Sequence, residues 1–94
     1  MATLRITLAY DGAGFAGWAA QPGQRTIEGG LSAALERVVG REVDLTVAGR
    51  TDAGVHALGQ VVSVELDEVP EALDRSLNAL TPPEIAVRAV ERAP

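Results

Sequence analysis

Four runs of alternating apolar residues and two amphipathic stretches follow one another as strand, helix, strand, strand, helix, strand. That order predicts an α+β chain of the ferredoxin-like βαββαβ type: a four-stranded antiparallel sheet with two helices on one face. Three observations carry the prediction. Period-two alternation marks the strands, three-to-four-residue spacing marks the helices, and glycine or proline punctuates the junctions.

The first strand covers residues 3–10, with Leu4, Ile6, Leu8 and Tyr10 on one face and Thr3, Arg5, Thr7 and Ala9 on the other. Asp11 to Arg25 is rich in glycine, contains Pro22 and carries Phe15 and Trp18, so it reads as a loop. Thr26 is the expected N-cap of a first helix whose apolar stripe is Ile27, Leu31, Ala34, Leu35 and Val38. Gly29 and Gly30 weaken that helix by about 1 kcal/mol each relative to alanine, and Gly40 suits its end. Val43 to Ala48 predicts a second strand facing the core through Val43, Leu45 and Val47, and Gln60 to Leu66 a third through Val62, Val64 and Leu66. Pro70 fits the first turn of a second helix, with Glu71 beside its positive end and a stripe of Leu73, Leu77 and Leu80. Pro82-Pro83 ends it, and Ile85 to Val90 predicts the fourth strand.

Ninety-four residues make one domain, and a 47% hydrophobic fraction is that of an ordinary globular chain. No apolar run approaches the roughly twenty residues a membrane helix needs. The start lacks a basic segment followed by an apolar one, so no secretory signal is expected. The absence of cysteine excludes disulfides and thiolate chemistry and fits a cytoplasmic protein. A net charge of −5 argues against a free-standing nucleic-acid binder. All eight basic residues are arginines, the side chain suited to planar recognition of phosphate or carboxylate; Arg37, Arg41, Arg75 and Arg92 read as solvated charges.

The chemistry concentrates in Gly49-Arg50-Thr51-Asp52-Ala53-Gly54-Val55-His56-Ala57, a connection longer than the two to five residues a hairpin needs. An arginine beside an aspartate is often a turn ion pair. It also keeps the carboxylate ionised when water is withdrawn, and Gly54 lets a bound group approach the main chain. Covalent catalysis by a carboxylate needs those conditions; the residues alone leave the two readings even. His56, the single histidine, reads as a structural hydrogen-bonding residue, since no motif supplies the other ligands of a metal site. Gly12-Ala13-Gly14-Phe15-Ala16-Gly17 matches the dinucleotide glycine pattern, but the helix that should open within it begins only near Thr26. Phe15 and Trp18 either fold back on the core or stack on a base.

The Gly49 to Ala57 stretch resembles the signature of the tRNA pseudouridine synthase A family. Further stretches agree in order: Tyr10-Asp11-Gly12 with Phe15, Gly17-Trp18 and Gln21; Thr26-Ile27-Glu28 with Leu31; and Leu77-Asn78 with Leu80, Pro82-Pro83 and Ile85-Ala86-Val87. The resemblance covers essentially the whole chain. It implies an enzyme that isomerises uridine to pseudouridine in the tRNA anticodon stem-loop, without cofactor or catalytic metal. It further implies Asp52 as the catalytic aspartate, attacking ribose C1′ or uracil C6. Arg50 would pair with Asp52 and hold the extruded nucleotide, and Tyr10, Phe15, Trp18 and Gln21 would border the RNA. Gly49, Thr51, Gly54 and His56 would shape the loop. Ala19 departs from the family, which has glutamine there. By the same resemblance residues 1–94 are the N-terminal half, a C-terminal half is missing, the whole enzyme is a homodimer and the fragment alone is inactive. The competing readings are a free-standing RNA-binding module or a small-molecule-binding module on the same fold.

Overall fold

The computed structural model describes residues 2–18, 23–47 and 57–93. Strand β1 (Ala2–Tyr10), helix α1 (Ile27–Val39), strand β2 (Thr46–Val47), strand β3 (Ala57–Leu66), helix α2 (Leu73–Leu80) and strand β4 (Ile85–Arg92) follow in that order, and the four strands form a single sheet ordered β2-β3-β1-β4. All pairings are antiparallel. This is the ferredoxin-like α+β arrangement that the order of elements predicts.

The alternation in β1 decides which face is covered. Leu4, Ile6, Leu8 and Tyr10 are buried with Val62, Val64 and Leu66 of β3 and Ile85 and Val87 of β4. The same core contains Ile27, Leu31, Ala34 and Leu35 of α1 and Leu73 and Leu77 of α2, so both helices cover this face. The opposite face carries Thr3, Arg5 and Thr7 on β1 with Val61, Ser63 and Glu65 on β3, all at least partly exposed. None of these six is aromatic, so this face lacks the rings on which an RRM-type sheet stacks bases. Among the described residues no helix is long and apolar enough to cross a membrane.

Helix α1 starts and stops where its sequence signals indicate. Thr26 Oγ1 accepts the Gly29 N–H at 3.1 Å, and Gly40 closes the helix in the left-handed region at φ 78°. The cost assigned to Gly29 and Gly30 has a local return. A Cβ on Gly29 would sit 2.8 Å from the Thr26 hydroxyl, and one on Gly30 would sit 3.3 Å from Pro82 and Ile85.

Four boundaries differ from expectation, the first being the start of β3 at Ala57 instead of Gln60. Among the described residues β2 pairs only through Thr46 and Val47; upstream, the Val43 N–H is directed at the Glu36 carboxylate of α1 (3.4 Å), and Ala48 lies outside the described residues. Helix α2 begins at Leu73, not at Pro70: Ala72 takes a left-handed conformation (φ 52°) that breaks the helical path, and Asp74 replaces Glu71 as the first-turn acid. Strand β4 runs on to Arg92, opposite Leu4.

Its middle is also bound from the side by Asn78, whose amide donates to Val87 O (3.0 Å) and accepts from Val87 N–H (2.7 Å). Removing that amide leaves two main-chain groups to find water. Asn78→Ala is therefore expected to lower the unfolding free energy by about 1–3 kcal/mol, measured by urea denaturation; an unchanged midpoint would contradict the role.

Candidate active site

One end of the sheet brings together Tyr10, the loop that leaves it and Ala57, the last residue of the Gly49 to Ala57 stretch. Tyr10, the last residue of β1, pairs with Ala57 of β3 on one side and with Ile85 of β4 on the other. Ala57 is the last residue of the motif and the first of β3, so the chain carrying the motif enters the sheet beside Tyr10. Both neighbours of β1 are bulged towards this end. Leu58 and Gly59 of β3 face the single residue Ala9, and Arg88 is the extra residue of β4. Bulges increase local twist and re-aim the adjoining chain. Gly49, Arg50, Thr51, Asp52, Gly54 and His56, together with Gln21, lie outside the described residues.

The loop leaving Tyr10 is built by its own main chain. Asp11 accepts the Ala13 N–H through Oδ1 (3.0 Å) and caps a 3₁₀ turn over Gly12–Gly14, which closes with Phe15 N–H on Gly12 O (3.0 Å). Gly17 then takes φ 103°, a conformation open to glycine, and turns the chain back towards α1. Gly17 O and Trp18 O accept the Ile27 and Glu28 N–H groups at 3.2 and 2.9 Å. With Gly29 N–H on the Thr26 hydroxyl and Gly30 N–H on Thr26 O, the first four donors of α1 are all engaged. A pyrophosphate would need those donors free. The glycine pattern of residues 12–17 therefore builds a helix cap, not a dinucleotide site.

The aromatic residues of this end point inwards. Tyr10 is 4% exposed, Phe15 5% and Trp18 1%. The Tyr10 and Trp18 rings lie 6.4 Å apart, tilted by 36°. Of the two readings of Phe15 and Trp18, the described burial matches the one in which they fold back on the core, with no ring face open to a base. The Trp18 indole N–H is buried and meets no acceptor among the described residues.

Two residues that the sequence reading passed over hold the loop from outside. The Arg25 guanidinium lies 4.2 Å from the Phe15 ring centroid and donates to Glu84 Oε1 at 2.8 Å. The hydrogen bond from Arg25 holds the Glu84 carboxyl below the usual carboxylate range, and the same bond raises Arg25 above its ordinary value. Fifty-nine residues separate the pair, so no local pattern announces it.

Elsewhere, a cleft of about 400 Å³ lies by the N-terminal end of β1, between Thr3, Glu42, Asp44 and Glu65 with Arg41 at its side. Its surplus of carboxylates repels a polyanion. The tip of β1 that carries Tyr10 is the end of interest.

Because the folded Glu84 value is lowered, its ion pair with Arg25 is complete above the carboxyl's ordinary 4.5 and is lost as pH falls through the lower folded value. In an NMR titration the Phe15 ring protons should therefore shift with a midpoint below 4.5, and Glu84→Gln should remove that transition. A midpoint at or above 4.5 would contradict the pairing.

Comparison with known proteins gives the family. The family model for tRNA pseudouridine synthase matches residues 6–94. The tRNA pseudouridine synthase A of Frankia casuarinae is 55% identical over 94 residues, covering 97% of this chain and 34% of that protein. The enzyme of the same name from Moorella thermoacetica is 48% identical over 99 residues, covering all of this chain and 40% of that one, and that of Ralstonia nicotianae is 46% identical over 96 residues, covering all of this chain and 35% of that one. The chain thus spans about a third of the length of the relatives it matches. On this breadth of agreement, the chain belongs to the tRNA pseudouridine synthase family.

Proposed function

We propose that this chain is the N-terminal ferredoxin-like part of an enzyme that converts uridine to pseudouridine in the tRNA anticodon stem-loop, with Asp52 as its catalytic aspartate. The observation that carries the reading is the family match, which runs through the Gly49 to Ala57 motif. The strand register supports it, since the motif enters β3 beside the loop that leaves β1.

The reaction breaks the N1–C1′ bond and makes a C5–C1′ bond, while C5 gives up a proton and N1 takes one. Atoms and electrons balance without an external oxidant or reductant. An ionised aspartate can attack either C1′ or C6 to form a transient covalent adduct. Arg50, two residues away, favours the ionised form in a site that excludes water. The uridine must first leave its stack, because its reacting atoms are inaccessible within a helix; Arg50 and Gln21 would hold it there. Tyr10, Phe15 and Trp18 would support that site from beneath by fixing the loop that borders it. Gly49, Thr51, Gly54 and His56 would shape the motif loop.

The relatives are about three times as long. The remaining two-thirds would supply the opposite wall of the cleft and the basic surface that a chain of net charge −5 lacks, and the complete enzyme would act as a homodimer in the cytoplasm. The chain alone is expected to be inactive.

The test grafts these 94 residues onto the Frankia casuarinae relative in place of the matching third. The chimera should release tritium from tRNA carrying 5-tritiated uridine, and the isolated chain should not. Asp52→Asn should reduce release by at least about a thousandfold while changing the tRNA Kd only a few-fold. Normal turnover by that variant would remove Asp52 from the catalytic role.

A further inference from the structure

Loop 11–18 is gripped at two points by two residues from distant parts of the chain. Glu84 O accepts the Asp11 N–H at 3.0 Å, at the start of the loop, and Arg25 O accepts the Ala16 N–H at 2.7 Å, near its end. The side chains of the same two residues then meet across the outside, with Arg25 Nη2 on Glu84 Oε1 at 2.8 Å. The guanidinium also covers the Phe15 ring and directs Nη1 at Gly14 O (3.5 Å). Gly14 is fitted to this approach, since a Cβ there would stand 2.9 Å from Nη1. The clasp therefore involves the chain before α1, the chain before β4, and the turn between β1 and α1.

The two side chains are 45% and 33% exposed, and an ion pair so open to water adds little to global stability. Its geometry is nonetheless specific, because charge, ring and main-chain contacts all converge on residues 11–16 of this loop. That turn stands beside Tyr10, whose partner Ala57 ends the motif.

We propose that Arg25 is a positioning residue for the tRNA substrate: clasped to Glu84 and stacked on Phe15, it fixes loop 11–18 in the shape that borders the RNA at the Tyr10 end of the sheet. It acts through the loop and does not touch the reacting nucleotide. The inference rests on the pseudouridine synthase reading and names a determinant of substrate fit within it.

The test compares Arg25→Met, Glu84→Gln and the double variant in the chimera described above, with tritium-release kinetics and direct tRNA binding measured side by side. Loss of a contact used equally in the ground and transition states raises KM and leaves kcat alone. Each single variant should raise KM and Kd about five- to tenfold with kcat within about twofold, and the double variant should be no worse than either single one, as residues acting as one unit behave. The dependence of tRNA affinity on salt should keep its slope, because no phosphate contact is lost. Gly14→Ala, which displaces the guanidinium without removing it, should act in the same direction. If folded Arg25→Met binds tRNA as tightly as the parent, the proposal fails. It fails equally if Glu84→Gln tightens binding while Arg25→Met weakens it with a shallower salt slope, since Arg25 would then be holding a phosphate. The binding measurement stands whether or not the chimera turns over, and full activity of the Asp52→Asn chimera would count against the functional reading alone.

Discussion

Strand β1 is hydrogen-bonded along both edges, and its alternating side chains supply the floor of the core. Sliding it by one residue against either neighbour would turn Leu4, Ile6, Leu8 and Tyr10 to solvent together, so the buried face holds the register firmly. The register in turn fixes what stands beside Tyr10: Ala57 on one side, Ile85 on the other. Loop 11–18, the start of β3 and the start of β4 are all anchored relative to that three-residue row. The packing of an apolar strand thus sets where the chain leaving the Gly49 to Ala57 stretch joins the sheet.

At that end, loop 11–18 combines two uses of one turn. Its carbonyls occupy the first donors of α1, and its aromatic side chains fill the space beneath. The loop is therefore part of the fold's foundation as well as a rim. A rim fastened to a helix start and to the core is held near one geometry, which is what a site needs if it is to accept a nucleotide already removed from its stack.

Much of the fold is legible in the sequence because local and tertiary preferences agree. Thr26 and Gly40 delimit α1 by signals within the segment itself, and the alternation of β1 and β3 shows which face is buried. The mismatches lie where the chain departs from its expected path. The Val43 N–H turns to Glu36 ahead of β2, and the left-handed turn at Ala72 delays α2 beyond Pro70. Gly29 and Gly30 look like defects when judged by helix propensity; only the neighbouring Thr26 hydroxyl, Pro82 and Ile85 reveal why a side chain is excluded. For the site, the motif around Asp52 is readable as residue types in a row. The Arg25–Glu84 clasp is not, since it joins residues whose proximity exists only after the sheet has closed. Phe15 and Trp18 were ambiguous in sequence because a loop aromatic can face either way, and their burial follows from the turn at Gly17.

The Asn78 amide bears on how the molecule behaves towards its own kind. β4 lies at the margin of the sheet, where free main-chain groups invite a strand from another copy. At Val87 both of those groups are already answered by a side chain that imitates a neighbouring strand. A second molecule could not continue the ladder past that point without first displacing the amide, so the residue that steadies the margin also interrupts the template for fibre growth.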